Sequence, residues 1–235
     1  MICSVARKET ALAQKPLSRE NLSTQLYGNL RTALMDGQYA PGQRLTISGV
    51  AEEYGTSITP VREAIFRLVS ERALEMRAAT SVQVPDLSPQ SLREVQRIRM
   101  ELEGVAAGRA AELATKADIK ALKSINAEFI KAAATSPERA SVLNRDFHFA
   151  ILRMAQLPIL ESICENMWVL MGPFLRTFHD RMPVRQLSGD NHKHYDLIAA
   201  LEAGDVEASR AAMQEDILWG EEMVRTLEAE RKTAV

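Results

Sequence analysis

The residues of this chain that are best suited to bind a metal ion lie in its second half. Asn144 and His148 stand four positions apart in the segment NRDFHFAIL. On a helix this spacing places both side chains on one face, whereas Asp146 is turned away from it. An imidazole nitrogen and an amide oxygen on a shared face can both act as ligands of a divalent ion.

Two further candidate ligands, His194 and Asp216, flank a short turn near the end of the chain. Only the sequence AGD separates two segments with helical patterning, so these two helices must be antiparallel. His194 lies ten residues before Gly204, and Asp216 lies twelve residues after it. At about 1.5 Å per residue, both side chains are about 15–18 Å from the turn and can face each other at one level.

Two imidazoles, one carboxylate and one amide oxygen could therefore converge inside a helical bundle. Such a donor set has borderline softness and fits zinc, nickel, manganese or iron. A single histidine on a helix is more often a hydrogen-bonded core or surface residue, and the chain has four histidines in all. Spacing alone thus leaves two interpretations open, a metal site and a chance coincidence.

A second segment with potential for binding is GTSITPVREAIFR, residues 55–67. Thr59 followed by Pro60 predicts a helix start, because the hydroxyl can cap free N–H groups and proline suits the first helical position; Ser57 is an alternative cap. The apolar residues that follow form one helical stripe, Val61, Ile65, Leu68 and Val69. Arg62 therefore points outward. Free N–H groups, hydroxyls and an arginine at one helix end suit a DNA phosphate or a base edge.

The neighbouring elements indicate how this helix is positioned. Residues 19–36 carry leucines at helical spacing, and Thr46 can cap a short helix, ISGVAEEY. The predicted helix 59–72 follows after a tight turn that contains glycine. Residues 74–77 and 81–84 then have the pattern of a small β-hairpin. Three helices followed by a hairpin predict a winged helix-turn-helix.

This part of the chain, LRTALMDGQYAPGQRLTISGVAEEYGTSITPVREAIFRLVSERALEMR, resembles the DNA-binding domain of the GntR family of bacterial transcription regulators. It contains PG-x-RL, an AEEYG-like helix and S-x-TPVREA in the order and spacing of that family. The resemblance implies that Ser57, Thr59 and Arg62 contact double-stranded DNA and that Arg44 lies near its backbone.

Three positions depart from the pattern of the family. Ile58 stands where an arginine is usual, Ser81 where the tip of the wing usually has glycine, and Ser48 where a longer polar residue is common. An arginine at position 58 could bridge a guanine, and its absence removes about 1–3 kcal/mol of base discrimination. We include Ile58 and Ser81 in the predicted DNA-binding site and expect an operator that differs from the usual one.

The first domain ends in the segment VPDLSPQSLREV, where prolines and serines interrupt the pattern. Beyond it every segment has helical patterning. We predict helices near residues 89–114, 116–134, 137–157, 158–180 with a break at Gly172-Pro173, 189–203 and 206–227. Ser88, Thr115 and Ser136 are the predicted caps of the first three.

The predicted fold is therefore mainly α. It consists of an N-terminal winged helix-turn-helix, with three helices and a small β-hairpin, and an all-α bundle of six to seven helices. The predicted divisions are a flexible arm over 1–18, the DNA-binding domain over 19–86, a linker over 87–90 and the bundle domain over 91–230.

The bundle is similar to the FCD ligand-binding domain, which accompanies one branch of the GntR family. The similarity rests on RIRMELEGVAAGRAA, NRDFHFAIL and HYDLIAALEAGDVEASRAAMQED, which together span most of residues 92–217. Members that hold a metal use an Asp or Asn four residues before a histidine, and two further histidines. Asn144, His148 and His194 match this pattern. Asp216 replaces the last histidine, and it can still bind a divalent ion through oxygen.

Three other polar residues complete the prediction for the bundle. The FCD resemblance places Arg99 near the ligand cavity, where its guanidinium could hold a carboxylate with two hydrogen bonds. An equally weighted alternative is a pair with Glu103 on the helix surface, four positions along. His179 and His192 are expected to be exposed to solvent and outside the metal site.

Composition limits the class of protein. The chain has 235 residues, 46% hydrophobic and 26% charged, as in a soluble globular protein of one or two domains. Its cysteines, Cys3 and Cys164, form neither a disulfide framework nor a metal-binding pair. The N-terminus lacks the apolar centre of a signal peptide, and no apolar run approaches the length of a membrane span. We therefore expect a cytoplasmic protein with no membrane partner.

The charge of the first domain bears on its oligomeric state. Residues 1–86 carry ten Lys and Arg against nine Asp and Glu, a net charge of +1. One such domain is expected to bind DNA weakly, because phosphate contacts supply much of the affinity. A homodimer that places two recognition helices on a palindromic operator would strengthen binding.

The order of the two resemblances predicts a metabolite-responsive transcription regulator without enzymatic activity, most simply a repressor. Its expected effector is a small carboxylate metabolite, held in the bundle by a divalent metal and Arg99. A regulator that binds a long-chain acyl effector without metal is one alternative. A metal-dependent enzyme with a DNA-binding head is another, although the chain has no HExxH segment or glycine-rich phosphate loop.

Overall fold

A computed structural model describes residues 20–181 and 192–233 of the chain. The helices among these residues are α1 (Glu20–Met35), α2 (Ile47–Glu53), α3 (Ile58–Ser70), α4 (Pro89–Leu113), α5 (Lys116–Ala133), α6 (Pro137–Met154), α7 (Pro158–Arg181), α8 (Lys193–Ala203), α9 (Val206–Leu218) and α10 (Glu221–Thr233). The strands are β1 (Arg44–Thr46), β2 (Glu75–Ala78) and β3 (Ser81–Gln83). The predicted arm over 1–18 lies outside the described residues.

The first three helices and the three strands form one unit, which we call the head. Its core is made of the apolar faces of α1, α2, α3 and the sheet, and includes Leu30, Leu34, Ile47, Val61, Ile65, Leu68 and Val82. Thr46 caps α2 as predicted, because its Oγ1 accepts a hydrogen bond of 3.0 Å from the Gly49 N–H. The prediction of a winged helix-turn-helix is confirmed.

The sheet contains one strand more than predicted. Its order is β1-β3-β2 with both pairings antiparallel, and Leu45 of β1 lies opposite Val82 of β3. Three residues are too short to show the alternation that identifies a strand. β1 forms because the outer edge of β3 offers hydrogen-bonding partners that only the folded head brings near.

The recognition helix α3 begins earlier than predicted. Ser57 is its N-cap residue, without a capping hydrogen bond from its side chain, and the helix runs from Ile58 to Ser70 rather than over 59–72. Thr59 and Pro60 are thus the second and third helical residues. Proline is tolerated there because the first four N–H groups of a helix have no acceptor within the helix.

The remaining helices, α4 to α10, form the bundle, and the predicted all-α fold is confirmed. Ser88 and Ser136 cap α4 and α6, each followed by a proline in the first turn. Thr115 and Asp118 form the predicted capping box at α5, with N–H···O distances of 2.9 and 3.2 Å. These helix starts could be predicted because each capping side chain binds an N–H group only three residues later in the sequence.

Two predicted boundaries in the bundle are wrong. No break occurs at Gly172-Pro173, since α7 continues through Pro173; packing against α1 and α6 outweighs the lost backbone hydrogen bond. The predicted helix 206–227 is instead divided into α9 and α10 at Trp219 and Gly220. There the carbonyl of Ile217 accepts a hydrogen bond of 2.8 Å from the side chain of Gln96 on α4.

The final helix boundary concerns α8. The predicted helix 189–203 is observed from Lys193 to Ala203, while residues 189–191 lie outside the described part of the chain. The left-handed residue Gly204 ends it, with φ 67°, and Asp205 caps α9. The two helices are therefore joined by the tight turn that the AGD segment predicts.

None of the described helices is long and apolar enough to cross a membrane.

The head packs directly on the bundle through α1 and α7. Val169 of α7 is part of the hydrophobic core of the head. A Cβ atom added at Gly172 would lie 2.3 Å from the carbonyl oxygen of Leu34, so only glycine allows this approach. Arg145 of α6 forms an ion pair with Asp36 at the end of α1. The same helix that carries Asn144 and His148 thus contacts the head.

Candidate functional site

The predicted DNA-binding residues of α3 form one accessible face. Ser57, Ile58, Thr59 and Arg62 are all exposed, and they lie in the first turns of the helix. The exposed fraction of Ile58 is 47%, which is large for an isoleucine. The buried stripe of α3 faces the core of the head, so these residues are left for contacts with another molecule.

The other two predicted DNA-binding residues lie in the sheet. Arg44 is exposed at the start of β1. Ser81 is half-buried and begins β3, opposite Thr46, so it is not at the tip of the wing. The tip is formed by Ala79 and Thr80, both exposed. The family pattern therefore predicted the position of the wing correctly but placed its tip one residue too late.

The arginines of the head differ in what they contact. Arg67 lies over the ring of Tyr27, 3.9 Å from its centroid. Among the described residues, Arg44 and Arg62 form no ion pair with a carboxylate. Their positive charges are uncompensated at short range, which favours an interaction with phosphate or with a guanine edge.

In the bundle, three of the four predicted ligands converge. His148 Nε2 lies 3.1 Å from Asp216 Oδ2, and His194 Nε2 lies 3.7 Å from Asp216 Oδ1. One nitrogen or oxygen atom of each residue lies within 4.8 Å of the others, and all three residues are buried. This geometry agrees with the prediction that His194 on α8 and Asp216 on α9 face each other at the same distance from the turn that joins the two helices.

Each of the two histidines is held by a partner on its other nitrogen. His148 Nδ1 is 2.8 Å from Glu103 Oε2, and His194 Nδ1 is 3.0 Å from Asn126 Oδ1. Both acceptors are oxygen atoms, so each Nδ1 donates and each Nε2 is directed to Asp216. Histidines that bind metals are usually oriented in this way.

One atom of this cluster is buried and lacks a partner. Among the described residues, His194 Nε2 has no hydrogen-bond partner, although His194 is fully buried. Because its Nδ1 carries the proton, Nε2 presents a lone pair. Buried polar atoms are nearly always satisfied, and a bound cation would satisfy this one. The residues present therefore fit a divalent ion, with two nitrogen donors and one carboxylate.

A small cavity of about 40 Å³ adjoins the cluster. Its polar wall includes Asn144, His148, Asp216 and Arg99, and its apolar wall includes Phe178. Asn144 is half-buried and shares a helix face with His148, as its spacing predicts.

The prediction that His179 and His192 are exposed is wrong. Their exposed fractions are 4% and 8%, and both line the cavity. His179 Nδ1 lies 2.6 Å from the hydroxyl of Ser141. The ring of His192 lies 5.0 Å from that of Phe129. Three of the four histidines, His148, His179 and His192, therefore line one cavity, and the ring of His194 lies 4.3 Å from that of His192.

Arg99 satisfies parts of both predictions made for it. It lines the cavity, and its Nε also lies 2.6 Å from Glu103 Oε1. The pair is buried rather than on the surface, with exposed fractions of 4% and 0%. Arg99 further lies 4.0 Å above the ring of Trp168, whose Nε1 donates to Glu103 Oε1 at 3.0 Å.

These contacts determine the charges of the site. Burial alone would raise the pKa of Glu103, but Arg99 and His148 reverse the shift and lower it to about 2. Burial likewise acts against ionisation of Asp216, and the nearby histidines lower its pKa below the usual range. Both carboxylates are therefore charged at neutral pH.

The two metal-candidate histidines differ in their protonation. Burial would lower the pKa of His148, but Asp216 and Glu103 outweigh it and raise the pKa. Burial is the main influence on His194 and lowers its pKa well below the usual value. His194 is thus neutral and ready to act as a ligand, whereas His148 must release a proton before it binds a cation.

Sequence reasoning missed two of the residues that organise the site. Glu103 was considered only as a surface partner of Arg99, and Asn126 was not identified at all. A buried glutamate four residues from an arginine gives a weak signal, because most such pairs lie on the surface. Asn126 has no local signal, since its partner is 68 residues away.

Comparison with known families matches both halves of the chain. The description "Bacterial regulatory proteins, gntR family" matches residues 22–84, and the FCD domain matches residues 94–218. Both matched families consist of regulators of transcription rather than enzymes. The enzyme alternative is therefore not supported.

Individual proteins that are similar to this chain are also regulators of transcription. The HTH-type transcriptional regulator McbR of Escherichia coli K12 is 36% identical over 196 residues, which cover 83% of this chain and 89% of that protein. The Exu regulon transcriptional regulator of the same strain is 27% identical, with coverages of 82% and 80%. The repressor RspR of that strain is 25% identical, with coverages of 89% and 91%.

A solved structure agrees with this relationship. The structure of E. coli McbR/YncC superimposes with a TM-score of 0.83 at 34% sequence identity. The match covers 88% of this chain and 98% of that chain, so it includes both the head and the bundle.

Proposed function

We propose that this chain, which belongs to the gntR family of bacterial regulatory proteins and carries an FCD domain, is a homodimeric repressor. We further propose that a small carboxylate controls it. Regulation of transcription through DNA follows from the family. Repression is supported by the name of RspR, a relative along most of the chain. The proposed functional units are residues 19–86 and 91–230, with a linker over 87–90.

On DNA, the exposed face of α3 enters the major groove of each half of a palindromic operator. Arg62, Ser57 and Thr59 contact base edges, and Arg44 contacts a phosphate. Ile58 offers an apolar surface suited to the methyl group of thymine. Ser81, next to the tip of the wing, contacts the backbone. The support for this assignment is the exposure of the α3 residues and the uncompensated charge of both arginines.

In the bundle, His148, His194, Asp216 and Asn144 hold a divalent ion. The observation that carries this proposal is the buried, unpartnered Nε2 of His194 beside the charged Asp216. Zinc, nickel, manganese and iron all suit nitrogen donors combined with a carboxylate. A bound ion would supply a Lewis-acidic centre for a carboxylate effector. Arg99 borders the same cavity and orients the effector.

The effect of the ligand on DNA binding would be transmitted by α6. This helix carries His148 at the cavity, and three residues earlier it carries Arg145, which pairs with Asp36 at the end of α1. A shift of α6 toward a bound ligand would displace this contact and the head with it. Such coupling requires that the effector bind two arrangements of the bundle with different affinity.

Elemental mass spectrometry of protein purified without a His tag tests the metal. Near one divalent ion per chain is expected in the wild type, with loss in His148→Ala and His194→Ala. Asp196→Ala, at an exposed position of α8, is the matched control and should retain the ion. A wild type that takes up no zinc, nickel or manganese would contradict the metal and favour the alternative of an acyl effector bound without it.

DNA binding is tested separately by a gel shift at several salt concentrations. A fragment of the DNA upstream of the gene itself should be retarded in preference to a scrambled sequence, and a sequence selected from random DNA should be palindromic. Absence of any sequence preference would contradict the proposed operator. Ile58→Arg should increase the preference for guanine at one position of each half-site by about 1–3 kcal/mol.

A further inference from the structure

We propose that Glu103 is a positioning residue of the metal site, which fixes the ring of His148 and strengthens it as a ligand. This inference rests on the proposed binding of a divalent ion in the bundle. Glu103 is fully buried, and both of its carboxylate oxygens have partners. It lies on α4, whereas the candidate ligands lie on α6, α8 and α9.

The contacts of Glu103 divide between its two oxygens. Oε2 lies 2.8 Å from His148 Nδ1, while Oε1 lies 2.6 Å from Arg99 Nε and 3.0 Å from Trp168 Nε1. Arg99 Nη2 also lies 3.4 Å from Oε2. Arg99 and Trp168 thus hold Oε1 closely, and the shortest contact of Oε2 is with the imidazole. The carboxylate cannot rotate freely, and His148 must donate from Nδ1. Its Nε2 is then directed to Asp216, 3.1 Å away.

The two candidate histidine ligands differ in the charge of their supports. His148 donates to a carboxylate, and His194 donates to the neutral oxygen of Asn126 at 3.0 Å. A charged acceptor increases the electron density on the opposite nitrogen of an imidazole more than a neutral one does. His148 is therefore the stronger nitrogen ligand of the two, and Glu103 is the reason.

A merely structural role is the competing explanation, in which Glu103 only neutralises Arg99. The two roles separate in Glu103→Gln, which keeps the shape of the side chain and an oxygen acceptor but removes its charge. Because this variant leaves Arg99 buried without a counterion, the double variant Arg99→Gln/Glu103→Gln provides a neutral pair that can fold. Arg99→Gln alone keeps the carboxylate beside His148.

The experiment titrates metal-free protein with cobalt(II) in competition with a chelator, and records the visible spectrum of the bound ion. Glu103→Gln and the double variant should bind cobalt about 10- to 100-fold more weakly than the wild type, with the same stoichiometry. Arg99→Gln removes one of the groups that hold the carboxylate but keeps its contact with His148, so it should weaken cobalt binding less than Glu103→Gln does. Glu112→Gln, an exposed residue of the same helix, is the matched control and should leave affinity and spectrum unchanged.

Each failure has its own signature. Equal cobalt affinity of the wild type, Glu103→Gln and the double variant overturns the role of Glu103 and leaves the metal site intact. A loss in Arg99→Gln as large as that in Glu103→Gln also overturns it, since Arg99 would then be the residue that matters. A wild type that takes up no cobalt overturns the proposed metal function, and the role of Glu103 with it.

Discussion

The exposed face of α3 and the cavity of the bundle place polar side chains in opposite surroundings. On α3, Ser57, Thr59 and Arg62 are exposed, and they come from adjacent turns of one helix. In the bundle, Glu103 and His194 are fully buried, and the polar groups around the cavity come from several helices. The first surface depends on one short segment, whereas the second depends on the packing of the whole domain.

This difference determines what a substitution does. An exposed side chain without a partner contributes little to stability, so its removal changes binding alone. A buried charged group is tolerated only because its partners are present, so the removal of one member leaves another uncompensated. Function and folding should therefore be separable in the head and inseparable in the bundle.

The largest expected effect is that of His148→Ala. It leaves Asp216 and Glu103 without a shared partner in the bundle, and should lower the free energy of unfolding of the metal-free protein by about 3–5 kcal/mol. Urea denaturation followed by tryptophan fluorescence measures this directly, because Trp168 and Trp219 both lie in the bundle. Unchanged stability of this variant would break the contrast between the two regions.

Arg62→Ala is the counterpart in the head. It should weaken operator binding by about 1–3 kcal/mol, because an exposed arginine of α3 that contacts a base edge or phosphate is lost. The free energy of unfolding should stay within about 0.5 kcal/mol of the wild type. Fluorescence anisotropy with a labelled operator and urea denaturation give the two numbers. A large loss of stability would mean that this face also supports the fold.

Gly172→Ala tests the junction between the two regions. The added methyl group would lie 2.3 Å from the Leu34 carbonyl oxygen and 2.5 Å from that of Met35, so α1 and α7 must separate. We expect a loss of about 1–3 kcal/mol in the free energy of unfolding. Gly28→Ala in α1 is the matched control, since no atom lies within 4 Å of its added Cβ. It should instead stabilise the protein by about 0.5–1 kcal/mol.

The smallest and most gradual effect is that of acid on the bundle. The pKa of Glu103 is lowered to about 2 in the folded chain, from about 4.5 when exposed. Its ionisation thus contributes stability that is present above about pH 4.5 and is lost as the pH falls toward 2. The urea midpoint, followed by tryptophan fluorescence, should fall over this range in the wild type and less steeply in Glu103→Gln. Parallel curves would show that Glu103 does not set the acid sensitivity.

Much of the fold was predictable because its signals are local. Thr46, Thr115 and Ser136 mark helix starts through hydrogen bonds to residues three positions away, and the structure contains all three caps. The facing positions of His194 and Asp216 followed from helix rise and one tight turn. These inferences needed only the periodicity of a helix and the length of a connection.

The errors have a common cause in contacts between distant segments. β1 exists because β3 lies beside it, and α9 ends where Gln96, 121 residues earlier in the chain, binds the carbonyl of Ile217. Tertiary packing determines these hydrogen-bond partners, so the local pattern of residues cannot predict them.

Sequence patterns were sufficient to identify the two families, the order of head and bundle, and the histidines and carboxylate that can meet on neighbouring helices. The burial of His179 and His192, and the hydrogen bonds of Glu103 and Asn126 to the two metal-candidate rings, became visible in the folded chain alone. The two groups differ because helix geometry is fixed by residues three or four positions apart. Burial and the choice of hydrogen-bond partners are instead fixed by which helices pack together.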